Sequence, residues 1–323
     1  MTKRRLQLPP NSNWKKPPSK PLGILELDRF TEKSLSQWEV TSQDLDQLQA
    51  VLHFSVEPER RRLRHELLDA LTCTAPTSLS LSRWTRLVTL QYSLTPLSAA
   101  GSLQYIGGRF NPGIDLDEGT LNPWPALYLA EDYETAFREK FQLKQGELVH
   151  GLTPQELALG SQSSHSYFVL QGQLHRVFDM TTPQSLDAVV EVLRRIKAPV
   201  QAQLLRKKLG LMGHIPTIVQ TSQQLYSTVF LHNWRMLPIQ FGLPSASQVL
   251  AELIRVAGFE AILYRSTKGS GRCLAVFPDL LDSASFVELI DQPPAEVQHR
   301  RLDENSAGSL TGWETLAPRY KPR

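Results

Sequence analysis

The stretch that most limits the fold lies near the C-terminus, where "EAILYRS" (260–266) is joined by "TKGSGR" (267–272) to "CLAVFP" (273–278). Two apolar runs of strand length flank a short turn containing glycine, and such runs pair as an antiparallel hairpin. Further short apolar runs read as strands: "RLVTLQY" (86–92), "PALYLA" (125–130), "SYFVLQGQL" (166–174) and "RVFDM" (176–180). Helical patterns fall irregularly among them. "EDYETAFREKF" (131–141) has Asp132 as its cap and Phe137 and Phe141 to pack; "SLDAVVEVLRRI" (185–196) follows, and "SASQVLAELIRVAG" (245–258) stops at Gly258. A doubly wound parallel sheet requires regular strand–helix alternation, which is absent, so the expected class is α+β: a mixed β core with flanking helices.

Upstream of this core the texture is helical from residue 24 to about 75. "TSQDLDQLQAVL" (41–52) opens on Thr41 and Ser42 as cap candidates. "PERRRLRHELLDAL" (58–71) has Pro58 in its first turn and sets Leu63, Leu67, Leu68 and Leu71 on one face. The Ser/Thr/Pro-rich "TAPTSLSLS" (74–82) then suggests a boundary. The division expected is a basic tail over 1–23, a helical region over 24–82, a main domain over 83–286 and a polar C-terminal tail over 287–323.

Charge is informative mainly at the N-terminus. Lys3, Arg4, Arg5, Lys15, Lys16 and Lys20 account for six of the 35 Lys and Arg, and without them the remainder, with 32 Asp and Glu, is net acidic. A solvated terminus is the simplest reading, contact with nucleic acid or an acidic surface the alternative. The body shows no basic stripe interleaved with aromatics, so nucleic-acid binding is not expected of it. The basic start is followed by no apolar stretch, unlike a secretory signal, and no run is long enough to span a membrane. Cys73 and Cys273 are the only cysteines. They offer neither a disulfide framework nor metal-ligand spacing, and the expectation is a cytoplasmic protein without a metal.

Familiar enzyme signatures such as GxGxxG, the Walker loop, GxSxG and HExxH are absent. What remains are polar residues beside apolar strands. Arg109 lies in the glycine-framed "GGRFNPG" (107–113), Tyr128 in "ALYLA", Glu139 in the following helix, and Ser266 at the end of "ILYRS". The helix that carries Glu139 can place it in one cleft with Tyr128 if it packs beside its strand. Spacing alone leaves blander roles open: a surface cation, a core aromatic, a solvated helix acid and a turn hydroxyl.

Three blocks, "GGRFNPG", "PALYLAEDYETAFREKF" and "GFEAILYRSTKGSGRCLAVFPD", occur in an order that resembles the RES-domain family, named for its Arg, Glu and Ser. The resemblance runs from about Arg83 to Phe286. It maps the family's arginine, tyrosine, glutamate and serine onto Arg109, Tyr128, Glu139 and Ser266, and it implies an ADP-ribosyltransferase-like fold. Members are bacterial toxins that consume NAD, by hydrolysis, by phosphorolysis or by moving ADP-ribose onto a protein. They are usually neutralised by an antitoxin with an Xre-type helix-turn-helix.

The resemblance therefore implies NAD as substrate and an antitoxin or immunity protein as partner, with a protein target possible in the ADP-ribosylating case. On this reading Glu139, Arg109 and Ser266 are catalytic. Arg109, Tyr128, Ser266, Gly108 and Asn111 bind the substrate. Nicotinamide leaves NAD as a neutral molecule, so one carboxylate suffices to stabilise the ribosyl cation or orient a ribose hydroxyl. Arg109 offers a planar fork for the pyrophosphate, with backbone N–H groups of the glycine loop close by. Tyr128 stacks on nicotinamide, and Ser266 bonds the carboxamide or the ribose.

Three features depart from compact members: the loop "GIDLDEGTLNPW" (113–124) with Asp115, Asp117 and Glu118, the stretch "LKQGELVHGLTPQELALGSQSSH" (143–165), and the N-terminal helical region. Acids of the first loop would oppose a pyrophosphate if they faced the cleft. Two other classes stay open: a non-catalytic NAD-binding or interaction protein, and a nucleic-acid-associated protein acting through its basic tail.

Overall fold

The computed structural model describes residues 32–143, 164–211 and 218–312. The basic tail and most of the 143–165 stretch lie outside the described residues. The described chain forms two units, one of residues up to Arg64 together with Leu193–Val219, the other of His65–Val192 and Gln220 onward.

In the first unit, α1 (Glu32–Arg62) packs against α5 (Val200–Lys208), pinned by Lys208 Nζ at 2.7 Å from Asp44. The sequence suggests two helices here, but α1 is continuous. Thr41 does not cap: its hydroxyl donates to the carbonyl of Gln37, four residues back, as mid-helix Thr does. Pro58 sits inside the helix rather than in a first turn. It removes one backbone donor near the C-terminal end, and the helix stops four residues later.

The second unit begins with α2 (Arg64–Thr72), which buries Leu67 and Leu71 as its periodicity predicts, and then enters the sheet. The strands are β1 (Thr77–Thr89), β4 (Leu127–Ala130), β5 (His165–Met180), β6 (Ala261–Arg265), β7 (Arg272–Val276), β8 (Phe286–Leu289) and β9 (Arg301–Leu302). Their order is β1-β4-β7-β6-β5-β8-β9, and β1 also pairs with β5, so five strands close on themselves while β8 and β9 extend the sheet. Only β5 and β6 run parallel. A short hairpin of β2 (Gly107–Gly108) and β3 (Asn111–Pro112) stands apart. Flanking helices are α3 (Tyr133–Phe141), α4 (Asp187–Leu193), α6 (Ser222–Val229), α7 (Met236–Phe241), α8 (Ala246–Val256) and α9 (Ala307–Thr311). This is the α+β core with flanking helices expected above. No helix among the described residues is long and apolar enough to cross a membrane.

Three expectations need correction. The first strand begins earlier than the run at 86–92 suggests: β1 starts at Thr77 and pairs Leu79 with Leu174 and Leu81 with Gly172. Ser and Thr there fill the solvent-facing alternate positions while the leucines face the core. The two strands expected at 166–174 and 176–180 are one, serving β1 and β8 along its first part and β6 at its end. The polar C-terminal segment contributes Val287, Leu302 and Leu310 to the main core cluster, because isolated apolar residues in short elements suffice to cap a sheet edge.

Candidate active site

The β2–β3 hairpin is built so that one side chain leaves it. Asn111, fully buried at 0 % exposure, accepts from Gly108 N (3.1 Å) and from the Tyr128 hydroxyl (2.8 Å) through Oδ1. Its Nδ2 donates to the carbonyls of Ser102 (2.7 Å) and Trp124 (3.1 Å). A Cβ on Gly108 would stand 2.4 Å from the Tyr128 oxygen and 2.6 Å from Asn111 Oδ1, so only glycine fits against this pair. From α8, Gln248 Nε2 donates to the carbonyls of Ile106 (2.9 Å), Gly108 (3.1 Å) and Asn111 (3.2 Å). Phe110 at the tip is buried edge-on against Tyr264, ring centroids 4.8 Å apart.

With Phe110 and Asn111 turned inward, Arg109 projects over the cleft. Its Nη1 donates to the carbonyls of Val229 (2.9 Å) and Leu231 (3.2 Å) at the C-terminal end of α6, where the helix dipole favours a cation. Its guanidinium lies over Phe230 and Trp234, 5.8 and 5.5 Å from the ring centroids. Burial lowers its pKa from the usual arginine value, with Tyr264 and Glu139 acting in the opposite sense. Among the described residues, Nη2 and Nε have no hydrogen-bond acceptor.

Glu139 is placed by α3. Asp132 caps that helix by accepting from Thr135 N (2.7 Å), and Ala136 and Phe137 are buried. The β6–β7 turn lies close against the same helix: a Cβ on Gly271 would come 2.3 Å from Thr135 Oγ1. That approach brings Ser266 Oγ to donate to Glu139 Oε1 at 2.6 Å, and Thr267 N to donate to the same oxygen at 3.0 Å. Ser266 Oγ in turn accepts from Lys268 N and Gly269 N, each at 3.0 Å. One carboxylate oxygen is thus fixed by two donors; Oε2 has no donor among the described residues.

Arg109, Tyr128 and Glu139 line one cleft of about 280 Å³, together with Lys140, Trp234 and Arg235. Three cations therefore surround one carboxylate. Burial lowers the Lys140 pKa, and its ammonium donates to Thr89 Oγ1 (3.2 Å). Burial raises the Tyr128 phenol well above 10, so it stays protonated as a donor to Asn111 and an acceptor from Phe110 N (3.0 Å).

The residues singled out in the sequence thus meet, with altered parts. Asn111 does not face the cleft; it ties the hairpin together with its side-chain hydrogen-bonding capacity used internally. The backbone N–H groups of Gly107, Gly108 and Phe110 are spent on Gln104 O, Asn111 Oδ1 and Tyr128, so recognition of an anion falls to side chains rather than to the loop backbone. Ser266 commits its proton to Glu139 and positions that carboxylate. Asp115, Asp117 and Glu118 are exposed and none lines the cleft. Sequence reasoning missed Trp234, Arg235, Lys140 and Gln248. The "WR" pair and the Ser-x-x-Gln capping box at Ser245 and Gln248 are visible in the sequence, but nothing local ties either to the cleft.

Residues 83–298 match the RES domain model, and the chain belongs to the RES domain family. Among solved structures, a chain of the M. tuberculosis MbcT–MbcA toxin–antitoxin complex is similar at 15 % identity and a TM-score of 0.38, covering 76 % of this chain and 97 % of that one. No curated protein sequence matches this chain.

Proposed function

We propose that this chain is a toxin-like enzyme that cleaves the nicotinamide–ribose bond of NAD. The observation that carries the reading is Glu139, held through Oε1 by Ser266 and Thr267, with Oε2 unpaired in a cleft lined by cations. As the C1′–N bond breaks, its electron pair moves to the pyridine nitrogen and nicotinamide leaves neutral. The positive charge left on the ribosyl ring is stabilised by the fixed carboxylate, which needs no reorganisation at that moment. Arg109 orients the diphosphate through its open guanidinium nitrogens, and the Tyr128 ring forms a wall against which nicotinamide packs. The acceptor adds to C1′ with its own lone pair, and any proton it carries passes to solvent.

Water or phosphate as acceptor gives NAD depletion; a side chain of a target protein gives ADP-ribosylation. Incubating the purified protein with NAD, with and without phosphate, and following free nicotinamide tests the reading. Release that disappears in Glu139→Gln supports it. Saturable NAD binding with no release under any acceptor condition replaces it with a non-catalytic binding role. The family resemblance extends the proposal to a cytoplasmic setting and a protein inhibitor, an Xre-type antitoxin or an immunity protein. Growth arrest on expression, relieved by Glu139→Gln or by co-expression of the neighbouring gene, tests that extension.

A further inference from the structure

The NAD reading assigns one arginine to the diphosphate, yet the cleft holds a second, exposed one. Arg235 immediately follows Trp234 in the chain. Its guanidinium lies 4.5 Å from the centroid of that indole, and Arg109 lies 5.5 Å from the same ring. Trp234 is itself buried, so it is a fixed platform rather than a mobile flap. Both arginines line the cleft with Glu139.

Among the described residues, no carboxylate, carbonyl or hydroxyl accepts from the Arg235 guanidinium. Burial lowers the Arg235 pKa, Glu139 opposes that shift, and the Arg235 charge in turn lowers the pKa of Arg109. Both guanidiniums lie over the Trp234 ring, and the one carboxylate they both sense, Glu139, is already held by Ser266 and Thr267. Arg235 is exposed and solvated, and an anion that engages both cations over the one indole is attracted by each. Arg109 retains Nη2 and Nε for a ligand; Arg235 retains its whole fork.

We infer that Arg235 and Arg109 form a two-arginine clamp, spaced by Trp234, whose ligand is a diphosphate. Two planar forks match two linked phosphates, whereas a single phosphate engages one fork and leaves the other uncompensated. The inference deepens the NAD reading and rests on it for the nucleotide, but the diphosphate site itself is tested without turnover. Arg235 is a binding residue here, not a reacting one. Its removal raises KM for NAD and leaves kcat within about twofold, because its contact is the same in ground and transition states.

The experiment is calorimetric titration of the full-length protein with inorganic pyrophosphate, inorganic phosphate and ADP, alongside NAD kinetics, for wild type, Arg235→Ala and Arg235→Lys. Wild type is expected to bind pyrophosphate more tightly than phosphate. Arg235→Ala should weaken pyrophosphate and ADP about tenfold, with a matching rise in KM, and Arg235→Lys should fall between them because it keeps the charge and loses the fork. Pyrophosphate affinity unchanged in Arg235→Ala, or no pyrophosphate binding by wild type, overturns the clamp. If pyrophosphate binds as expected but no nicotinamide is ever released, the clamp stands and the NAD-cleaving reading fails. If NAD turns over while Arg235→Ala matches wild type in both measurements, the clamp fails and the reading stands.

Discussion

A held carboxylate lies at each end of strand β6, and the two ends differ in what the carboxylate is left to do. Just before the strand, Glu260 is wholly buried; its Oε1 accepts from His175 N, Arg176 N and the Ser285 hydroxyl, while Oε2 is enclosed without a partner. Just after the strand, Ser266 and Thr267 hold Glu139 Oε1 in the same one-sided way, but that carboxylate lines the cleft. Both acids are restrained through one oxygen. The first is sealed by protein and serves the fold, tying the β5 backbone to the start of β6. The second is restrained and still reachable, the combination that preorganised electrostatic stabilisation requires. Hydrogen-bond count alone does not separate the roles; access to the cleft does.

Removing the charge at each end gives the sharpest contrast. Glu139→Gln keeps the shape and should lower NAD turnover about 1000-fold, on the order of losing a group aimed at transition-state charge, with an unchanged urea midpoint. Glu260→Gln should leave turnover per folded molecule near wild type. If Glu139→Gln turns over NAD normally, the two ends are functionally alike and the cleft assignment falls. Next in size, Glu260→Ala leaves two part-buried backbone N–H donors and a buried hydroxyl without their carboxylate acceptor. It should cost about 3 kcal/mol in urea unfolding. A cost below about 1 kcal/mol would mean the sealed end is dispensable.

Ser266→Ala probes how the open end is held. The hydroxyl donates to a charged oxygen, and such bonds contribute about 1.5–3 kcal/mol. With Thr267 N still in place, part of that holding survives, so kcat should fall roughly tenfold with KM little changed. A rise in KM with kcat intact would instead place Ser266 on the substrate, as the sequence-level expectation had it.

Much of this site is legible in the sequence, for local reasons. The hairpin over 260–278 follows from two apolar runs and a glycine-containing turn, and the Asp132 cap and the face of α3 follow from helical spacing. Glu139 and Ser266 are also found, but their contact spans 127 residues and comes from the close approach of Gly271 to α3, which no local pattern encodes. Asn111 misleads for a related reason: in a glycine-framed loop a polar residue suggests a ligand, and only the packed hairpin reveals its internal bonds. Arg235 is missed because its relevance depends on the ring of Trp234 lying under Arg109. The Ser/Thr-rich start of β1 is not recognised as strand because its polar residues face solvent while its leucines, at alternate positions, turn toward the core.

A third glutamate sets the lower bound for the comparison, since it is fully paired yet exposed. Glu131, directly after β4, accepts from Arg272 Nη2 at 2.6 Å, from Arg272 Nε at 3.1 Å and from Arg272 N at 3.0 Å. Both side chains remain more than one-third exposed, at 39 % and 37 %. The Arg272 hydrogen bond holds the Glu131 carboxyl below its usual 4.5. A depressed acid pKa adds stability that is present above 4.5 and lost as pH falls through the lower folded value. Water and salt screen such a pair, so Arg272→Gln should cost only about 0.5 kcal/mol at pH 7. The unfolding curves of wild type and variant should then converge as pH drops below 4.5. A loss at pH 7 as large as that of Glu260→Ala would show that pairing, not enclosure, sets the worth of a carboxylate in this sheet.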